Sequence, residues 1–104
     1  MRRLRILVDG RKAGILEERV PGREYVFLYA EGYDGPPVSL TMPVENRVYS
    51  FDRFPSFFEG LLPEGVMLEG LLRAHKIDKD DLLSQLAAVG ADMVGAVTAS
   101  EDSA

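Results

Sequence analysis

The chain has 104 residues and carries 12 lysines and arginines against 17 aspartates and glutamates, which gives a formal net charge of −5 at pH 7. This length predicts one domain, and the absence of cysteine excludes disulfides, thiolate zinc sites and cysteine nucleophiles. No stretch approaches the roughly 20 apolar residues that span a bilayer, so we expect a cytoplasmic protein without a membrane partner.

The chain opens with the two-residue periodicity of β-strands. Residues 4–8 predict the first strand, and Asp9 with Gly10 predicts a tight hairpin turn, because both residue types tolerate positive φ. Residues 13–18 predict the returning strand, and a bulge is expected at Gly14.

Three further strands are predicted before the middle of the chain. Pro21 and Gly22 mark a turn that leads into a third strand at residues 24–30, which is rich in aromatic and β-branched side chains. The sequence EGYDGPP predicts a loop. Residues 38–43 then predict a fourth short strand, and residues 47–50 indicate a fifth.

The periodicity changes to 3.6 residues after residue 51, which indicates helices. Asp52 and Pro55 mark the start of a first helix. Its apolar face would hold Phe54, Phe57, Phe58, Leu61 and Leu62. Pro63 ends this helix and can also open a second one that runs to about His75.

A third helix is predicted from Asp78, with Asp81 in the second position of a capping box. Gly90 is a natural C-terminal stop for this helix. Residues 93–99 predict a last strand, and residues 100–104 predict a frayed tail.

This order of elements defines an α+β fold. We predict a small antiparallel sheet or partial barrel of five to six strands, with three short helices inserted before the last strand. Residues 1–99 would form the single domain, because no repeat or linker divides the sequence.

Residues that could carry catalysis are few and scattered. His75 is the one histidine, and without cysteine it cannot build a usual zinc site. The serines lack a G-x-S-x-G setting or a nearby base. Glu59 and Glu64 could form an acid–base pair, but a proline break lies between them and nothing fixes their separation. We therefore predict no enzymatic activity, no catalytic residue, no metal and no cofactor.

Charge is unevenly distributed along the chain. Residues 1–24 carry seven basic and four acidic side chains, whereas residues 25–104 carry five basic and thirteen acidic ones. An acidic domain repels phosphate backbones. We therefore predict no direct binding of nucleic acid.

The stretch FFEGLLPEG, residues 57–65, has more apolar surface than one helical face can bury. Adjacent residues on a helix point about 100° apart, so neighbouring phenylalanines and neighbouring leucines cannot all face inward. The surplus predicts a contact surface for another protein. The alternative is that these side chains all belong to the core.

Four local patterns, in their order and spacing, resemble the N-terminal subdomain of HipA-type serine/threonine kinases, the toxins of bacterial toxin–antitoxin modules. They are LRILVDGRKAGIL, PPVSLTMP, FFEGLLPEG and GADMVGAV, the last with Gly90, Asp92, Gly95 and Ala96 matching the family's pattern. The resemblance covers roughly residues 4–98. Two departures stand out: Tyr33 takes the place of a usual tryptophan, and the sequence stops where a one-chain HipA kinase continues into its ATP-binding core.

The resemblance implies a small protein like HipS of the tripartite HipBST modules. Such a protein resembles an antitoxin that binds and neutralises a separate HipA- or HipT-like kinase. A HipB-like helix-turn-helix DNA-binding protein is a further expected partner, in a ternary complex. Met1 and the polar ending SEDSA favour a natural small protein over a fragment of a full toxin.

Two alternatives remain open at this point. The chain could be a non-catalytic subdomain or fragment that completes a HipA-type kinase and is needed for its activity. It could also be a regulator that helps the helix-turn-helix protein bind DNA.

If the chain is an antitoxin, the corner that follows FFEGLL would bind the kinase. Phe58, Leu62 and Met67 would supply an apolar anchor, and Glu64 would approach a cationic group near the nucleotide site or activation loop. The full set of predicted kinase-binding residues is Phe58, Leu62, Pro63, Glu64, Gly65, Val66 and Met67.

Overall fold

The structure is a computed structural model that describes residues 1–90 and 95–102. Its elements, in chain order, are β1 (Arg2–Val8), β2 (Arg11–Val20), β3 (Glu24–Tyr29), β4 (Val48–Phe51), α1 (Ser56–Glu59), α2 (Gly65–His75), α3 (Leu82–Val89) and β5 (Val97–Glu101). The strands form one antiparallel sheet in the order β4-β3-β2-β1-β5. The predicted α+β fold, with three short helices before the last strand, is confirmed.

The first hairpin forms as its sequence predicts. Asp9 and Gly10 have φ of 50° and 81°, the positive values that a two-residue turn between twisted strands requires. The register between β1 and β2 shifts next to Gly14, which is the expected bulge. A Cβ at Gly14 would lie 2.2 Å from the carbonyl oxygen of Leu28, so β3 can pair this closely only against a glycine.

The core lies on one face of the sheet, where the helices pack. It joins alternate strand residues to side chains of α1 and α3, among them Leu4, Ile6, Leu16, Phe27, Phe58, Leu83 and Leu86. The rings of Phe27 and Phe58 have centroids 6.0 Å apart, which fixes α1 against the middle of the sheet. Helix α2 contributes no residue to this core.

The predicted strand at residues 38–43 is wrong. The chain between β3 and β4 is an irregular loop, in which the Met42 amide donates to the Ser39 carbonyl at 3.0 Å to form a turn. Pro37 and Pro43 at the two ends of this segment lack the N–H that a strand needs for pairing. Strand β4 begins at Val48, one residue later than predicted.

The first two helices are shorter than predicted. Helix α1 ends at Glu59, and Gly60 caps it, so the chain leaves the helix three residues before Pro63. Helix α2 begins at Gly65 rather than at Pro63. The link between them therefore holds Leu61 and Leu62 outside any helix.

Helix α3 is capped by Asp81 rather than by Asp78. The Asp81 carboxylate accepts the Ser84 amide at 3.2 Å and the Ser84 hydroxyl at 2.7 Å. Asp78 instead accepts the amide of Asp80 in the preceding turn, at 3.1 Å. The guanidinium of Arg2 donates to Asp81 at 2.8 Å and so ties β1 to this helix end.

Strand β5 continues into residues that the sequence predicted as a frayed tail. Glu101 lies opposite Leu4, and Ser100 lies opposite Arg5. The Asp102 amide then donates to the carbonyl of Arg3 at 3.3 Å. The sheet therefore holds the chain through residue 102, because the side of β1 away from β2 pairs with β5 from Leu4 to Val8.

Some predictions fall outside the described residues. These are the predicted start of the last strand at Met93, the family residue Asp92, and the final residues Ser103 and Ala104. Within residues 1–90 and 95–102, no helix has the length and apolar character needed to cross a membrane.

Candidate protein-binding surface

The first half of FFEGLLPEG is a buried corner. Phe58 is fully buried, and the half-buried Phe57 packs edge-on against it with ring centroids 5.2 Å apart. The amide of Leu61 donates to the carbonyl of Phe58 at 3.1 Å, so the chain continues the helical turn after α1 ends. Leu61 and Leu62 pack against the edge of the core and stay half-buried.

This burial corrects one of the predicted contact residues. Phe58 has no exposed surface, so it cannot anchor a partner without unfolding the core. Phe58 was predicted to face a kinase because the apolar residues of FFEGLLPEG cover more than one helical face can bury. In the structure, α1 is so short that both phenylalanines can turn toward the sheet.

The second half of the stretch lies on the surface. Leu62 and Pro63 are half-buried, and Glu64 and Gly65 are exposed. Beyond them the exposed fractions rise to 82% for Val66 and 76% for Met67. The structure thus brings together six of the seven predicted residues. We call them the α2 surface: Leu62, Pro63, Glu64, Gly65, Val66 and Met67.

The backbone explains why Pro-Glu-Gly is found at this point. Glu64 is extended, with φ of −128°, and Gly65 begins the helix with φ of +59°. That value favours glycine, because a Cβ there would be strained. No side chain caps the helix start, and the amide of Leu68 reaches back to the carbonyl of Glu64 at 3.4 Å.

Helix α2 is attached loosely to the rest of the fold. None of its 11 residues is buried, and its main packing contacts are with α3. Its leucines, at positions 68, 71 and 72, are only half-buried. A helix with this much apolar surface and so little burial is typical of an element that packs on another protein.

The α2 surface also carries negative charge. In the described part of the chain, Glu64 makes no ion pair and no side-chain hydrogen bond. Its carboxylate is therefore open to a cation from a partner. The arrangement can bind an apolar surface that has a basic group at its margin.

Among residues 1–90 and 95–102, no three Asp, Glu or His side chains lie close enough together to hold a metal ion. His75 is exposed at the C-terminal end of α2. Arg73 precedes it in the same last turn, where positive charge is favourable near the helix carbonyls. His75 is therefore a side chain at the end of a helix, as its position in the sequence predicted.

One exposed apolar side chain was missed by the sequence interpretation. Leu40 is 93% exposed, whereas a strand at residues 38–43 would have placed it on the same face as the buried Val38 and Met42. The prolines on both sides of the segment were the signal that could have excluded a strand.

Comparison with known proteins identifies the family. The family model described as the HipA N-terminal domain matches residues 4–100. The chain belongs to the HipA N-terminal domain family. The family that the sequence resembled is thus confirmed, and nearly the whole chain is this domain.

A relative and a solved structure agree with this assignment. An uncharacterized protein from Haemophilus influenzae (strain ATCC 51907 / DSM 11121 / KW20 / Rd) is 31% identical over 98 residues, which are 94% of this chain and 91% of that protein. A solved structure described as the N-terminal domain of HipA toxin matches with a TM-score of 0.76 at 27% identity. The match covers 98% of this chain and 93% of that chain.

Proposed function

We propose that this chain binds a separately encoded HipA-type serine/threonine kinase and neutralises it, as an antitoxin without catalytic activity of its own. The observation that carries the proposal is the α2 surface, which leaves Val66 and Met67 in water at the start of a helix with no fully buried residue. Membership of the HipA N-terminal domain family supports a HipA-type protein as the partner.

The chemistry of the α2 surface suits a tight contact. Burying a side chain the size of Val66 or Met67 contributes about 1.5–3 kcal/mol, and Met67 is unbranched and adapts to an irregular partner. Glu64 would meet a basic group of the kinase near its nucleotide site or activation loop. The acidic excess of residues 25–104 would speed the encounter with such a basic region.

A second function is favoured by one observation. The matching structure is described as a domain of the HipA toxin itself, so this chain could complete a kinase and be needed for its activity. The two functions predict opposite effects on the kinase.

A growth assay separates the two functions. A separately encoded HipA-type kinase is expressed alone and then together with this chain, and the pair is purified through a tag on the kinase. We expect the kinase alone to stop growth, and growth to recover when the chain is present and co-elutes. A kinase that is harmless alone and toxic with the chain would overturn the antitoxin proposal.

Substitutions locate the contact. The double variant Glu64→Arg/Met67→Asp should lose neutralisation and keep its fold, because both side chains are exposed. The matched control is Val48→Asp. Val48 is 56% exposed and lies on the sheet face opposite the helices, beside Leu28. If the double variant still rescued growth as well as the control does, the contact would not be at the α2 surface.

A further inference from the structure

One side of helix α2 faces water along its whole length. In a helix, residues three or four positions apart lie on the same side. The exposed residues of α2 with this spacing are Val66, Met67, Gly70, Arg73 and Ala74, and we call them the outer side of α2. The leucines of α2 are half-buried and lie on the other side. No described part of the chain covers the outer side.

The middle of the outer side is open to a close contact. Gly70 has no side chain, and a Cβ there would meet no atom within 4 Å. Ala74, one turn further along, adds only a methyl group. A second helix can therefore approach closely over Gly70, and its side chains can reach Val66 and Met67. Such a contact removes two exposed apolar side chains from water, which is the main favourable term in protein association.

Charge changes sign from one end of α2 to the other. Glu64 and Glu69 lie directly before the helix and in its first half, whereas Arg73 and Lys76 lie in its last turn and directly after it. All four side chains are exposed. In the described part of the chain, none of them makes an ion pair. Each charge is therefore available to a group on another molecule.

This arrangement is complementary to itself when two copies of α2 pack antiparallel. With a two-fold axis at Gly70, the first half of each helix lies along the second half of the other, and every contact occurs twice. Glu69 then lies beside Arg73 of the second copy, and Met67 packs against Ala74 of the second copy. Parallel packing would instead place like charges side by side, which is unfavourable.

We infer that two copies of this chain associate through the outer side of α2, in an antiparallel and symmetric contact. A helix of 11 residues is about 16 Å long, so the contact is small and belongs to the weak, reversible class of interfaces. The net charge of −5 on each copy opposes the contact and keeps it weak.

The self-association has one consequence for the kinase. The outer side of α2 shares Val66 and Met67 with the α2 surface that is proposed to bind the kinase. A second copy and the kinase therefore compete for the same two side chains, and kinase binding should separate the two copies. Only this consequence rests on the proposed function, since the contact between copies is argued from α2 alone.

The test is sedimentation equilibrium of the full chain over a range of concentrations, in which the wild type should form a dimer. Glu69→Lys and Arg73→Glu should each weaken self-association about tenfold, because each change brings like charges together at two symmetric contacts. An equal mixture of these two variants should associate again, since the basic outer side of one then meets the acidic outer side of the other. Val48→Asp is the control and should associate as the wild type does.

A cysteine variant tests the register of the contact. The sequence has no cysteine, so Gly70→Cys carries a single thiol, and the two-fold axis places it next to its copy. Mild oxidation should therefore link the two chains, because a disulfide forms between Cα atoms about 4.4–6.8 Å apart. The control is Glu45→Cys, at an exposed position in the loop before β4, which should form linked dimers far more slowly. Equal rates for the two variants would overturn the contact at Gly70.

The possible results separate this inference from the proposed function. A wild type that stays monomeric at every concentration but binds the kinase overturns the inference and leaves the proposed function standing. A wild type that forms the dimer but does not bind the kinase supports the inference and overturns the proposed function. If Glu69→Lys and Arg73→Glu both self-associate as the wild type does, the two copies meet elsewhere and the inference is wrong.

Discussion

The loop at residues 30–47 and helix α2 are attached to the fold in opposite ways. The loop has no regular structure, yet Tyr33, Val38 and Met42 within it are buried. Helix α2 is regular over 11 residues, yet none of them is buried. Regularity of the backbone is therefore a poor guide to how firmly a segment is held.

The difference follows from where each segment finds its hydrogen bonds. A helix satisfies most of its backbone groups internally, so α2 can form while making few contacts with the sheet. The loop depends on Tyr29, Tyr49 and Arg47, which belong to or adjoin strands. The loop forms only with the complete fold, whereas α2 belongs to the segments of low local stability from which binding elements are commonly drawn.

The largest expected effect is the difference in the free energy of unfolding between a truncation in α1 and one in α2. Phe58→Ala should lower the free energy of unfolding by about 3–5 kcal/mol, because it empties a fully buried site. Met67→Ala should change it by less than about 0.5 kcal/mol. Urea denaturation of both variants measures the difference. Similar losses would mean that α2 is packed as firmly as the core.

Removing the arginine that anchors the loop should have the next largest effect. Arg47→Met keeps most of the side-chain length but removes the guanidinium from the carbonyls of Ala30, Tyr33 and Val44. The Ala30 carbonyl keeps the Tyr33 amide as a donor at 3.0 Å. We expect a loss of about 2–4 kcal/mol, again measured by urea denaturation. The control is Arg53→Met, since Arg53 is exposed and has one ion pair of 3.9 Å. A loss at Arg47 no larger than the control would show that the loop is not held by this residue.

The N-terminus of α3, the helix against which α2 packs, should respond to pH. The pKa of Asp81 is lowered mainly because Arg2 donates to it, and Ser84 adds to this while burial opposes it. Since the folded pKa lies below the unfolded value of about 3.9, the unfolded state binds more protons in this range. The stabilisation by Asp81 is therefore present above pH 4 and is lost as the pH falls through the folded pKa.

Asp81→Ala measures this contribution. It should cost about 1 kcal/mol at pH 7, as the loss of an N-cap does, and the difference from wild type should shrink as the pH falls below 4. Asp81→Asn can still cap the helix and should cost less. If the difference in the free energy of unfolding between the wild type and Asp81→Ala stayed constant down to pH 2, this would contradict a role for the ionised carboxylate.

The smallest effect concerns α2 alone. Gly70 lies within α2, and a Cβ there would meet no atom within 4 Å. Gly70→Ala should stabilise the helix by up to about 1 kcal/mol and slow hydrogen exchange of the α2 amides, with little change in the loop. Gly65→Ala is the opposing control, because φ at Gly65 is +59°. Unchanged exchange in Gly70→Ala would mean that α2 opens only when the whole domain unfolds.

The sequence was sufficient for features whose causes are local. Asp9 and Gly10 encode their turn, and Gly14 marks the bulge, so β1 and β2 could be placed. The strand predicted at residues 38–43 failed because the Tyr29 hydroxyl, which bonds Val38 and Met42, is brought to this segment by tertiary packing. Alternating apolar residues alone could not reveal those bonds.

The candidate surface was predictable in part for a similar reason. The excess of apolar residues in FFEGLLPEG predicted that some would face a partner, but Phe57, Phe58, Leu61 and Leu62 all lie in or against the core. The exposed apolar side chains, Val66 and Met67, come after this stretch in α2. The starts of two helices also differed from prediction. Helix α2 begins at Gly65 because Glu64 before it is extended. Helix α3 begins at Leu82 because Asp81, rather than Asp78, caps it.

The claim that the α2 surface binds and neutralises a HipA-type kinase can be tested by one titration. The purified kinase is mixed with increasing amounts of the wild-type chain or of Val66→Asp/Met67→Asp, and its ATP consumption is followed. We expect the wild type to reduce kinase activity to background and the double variant, with an unchanged circular dichroism spectrum, to leave it intact. Equal inhibition by both proteins would contradict the assigned surface, and a rise in activity would contradict neutralisation itself.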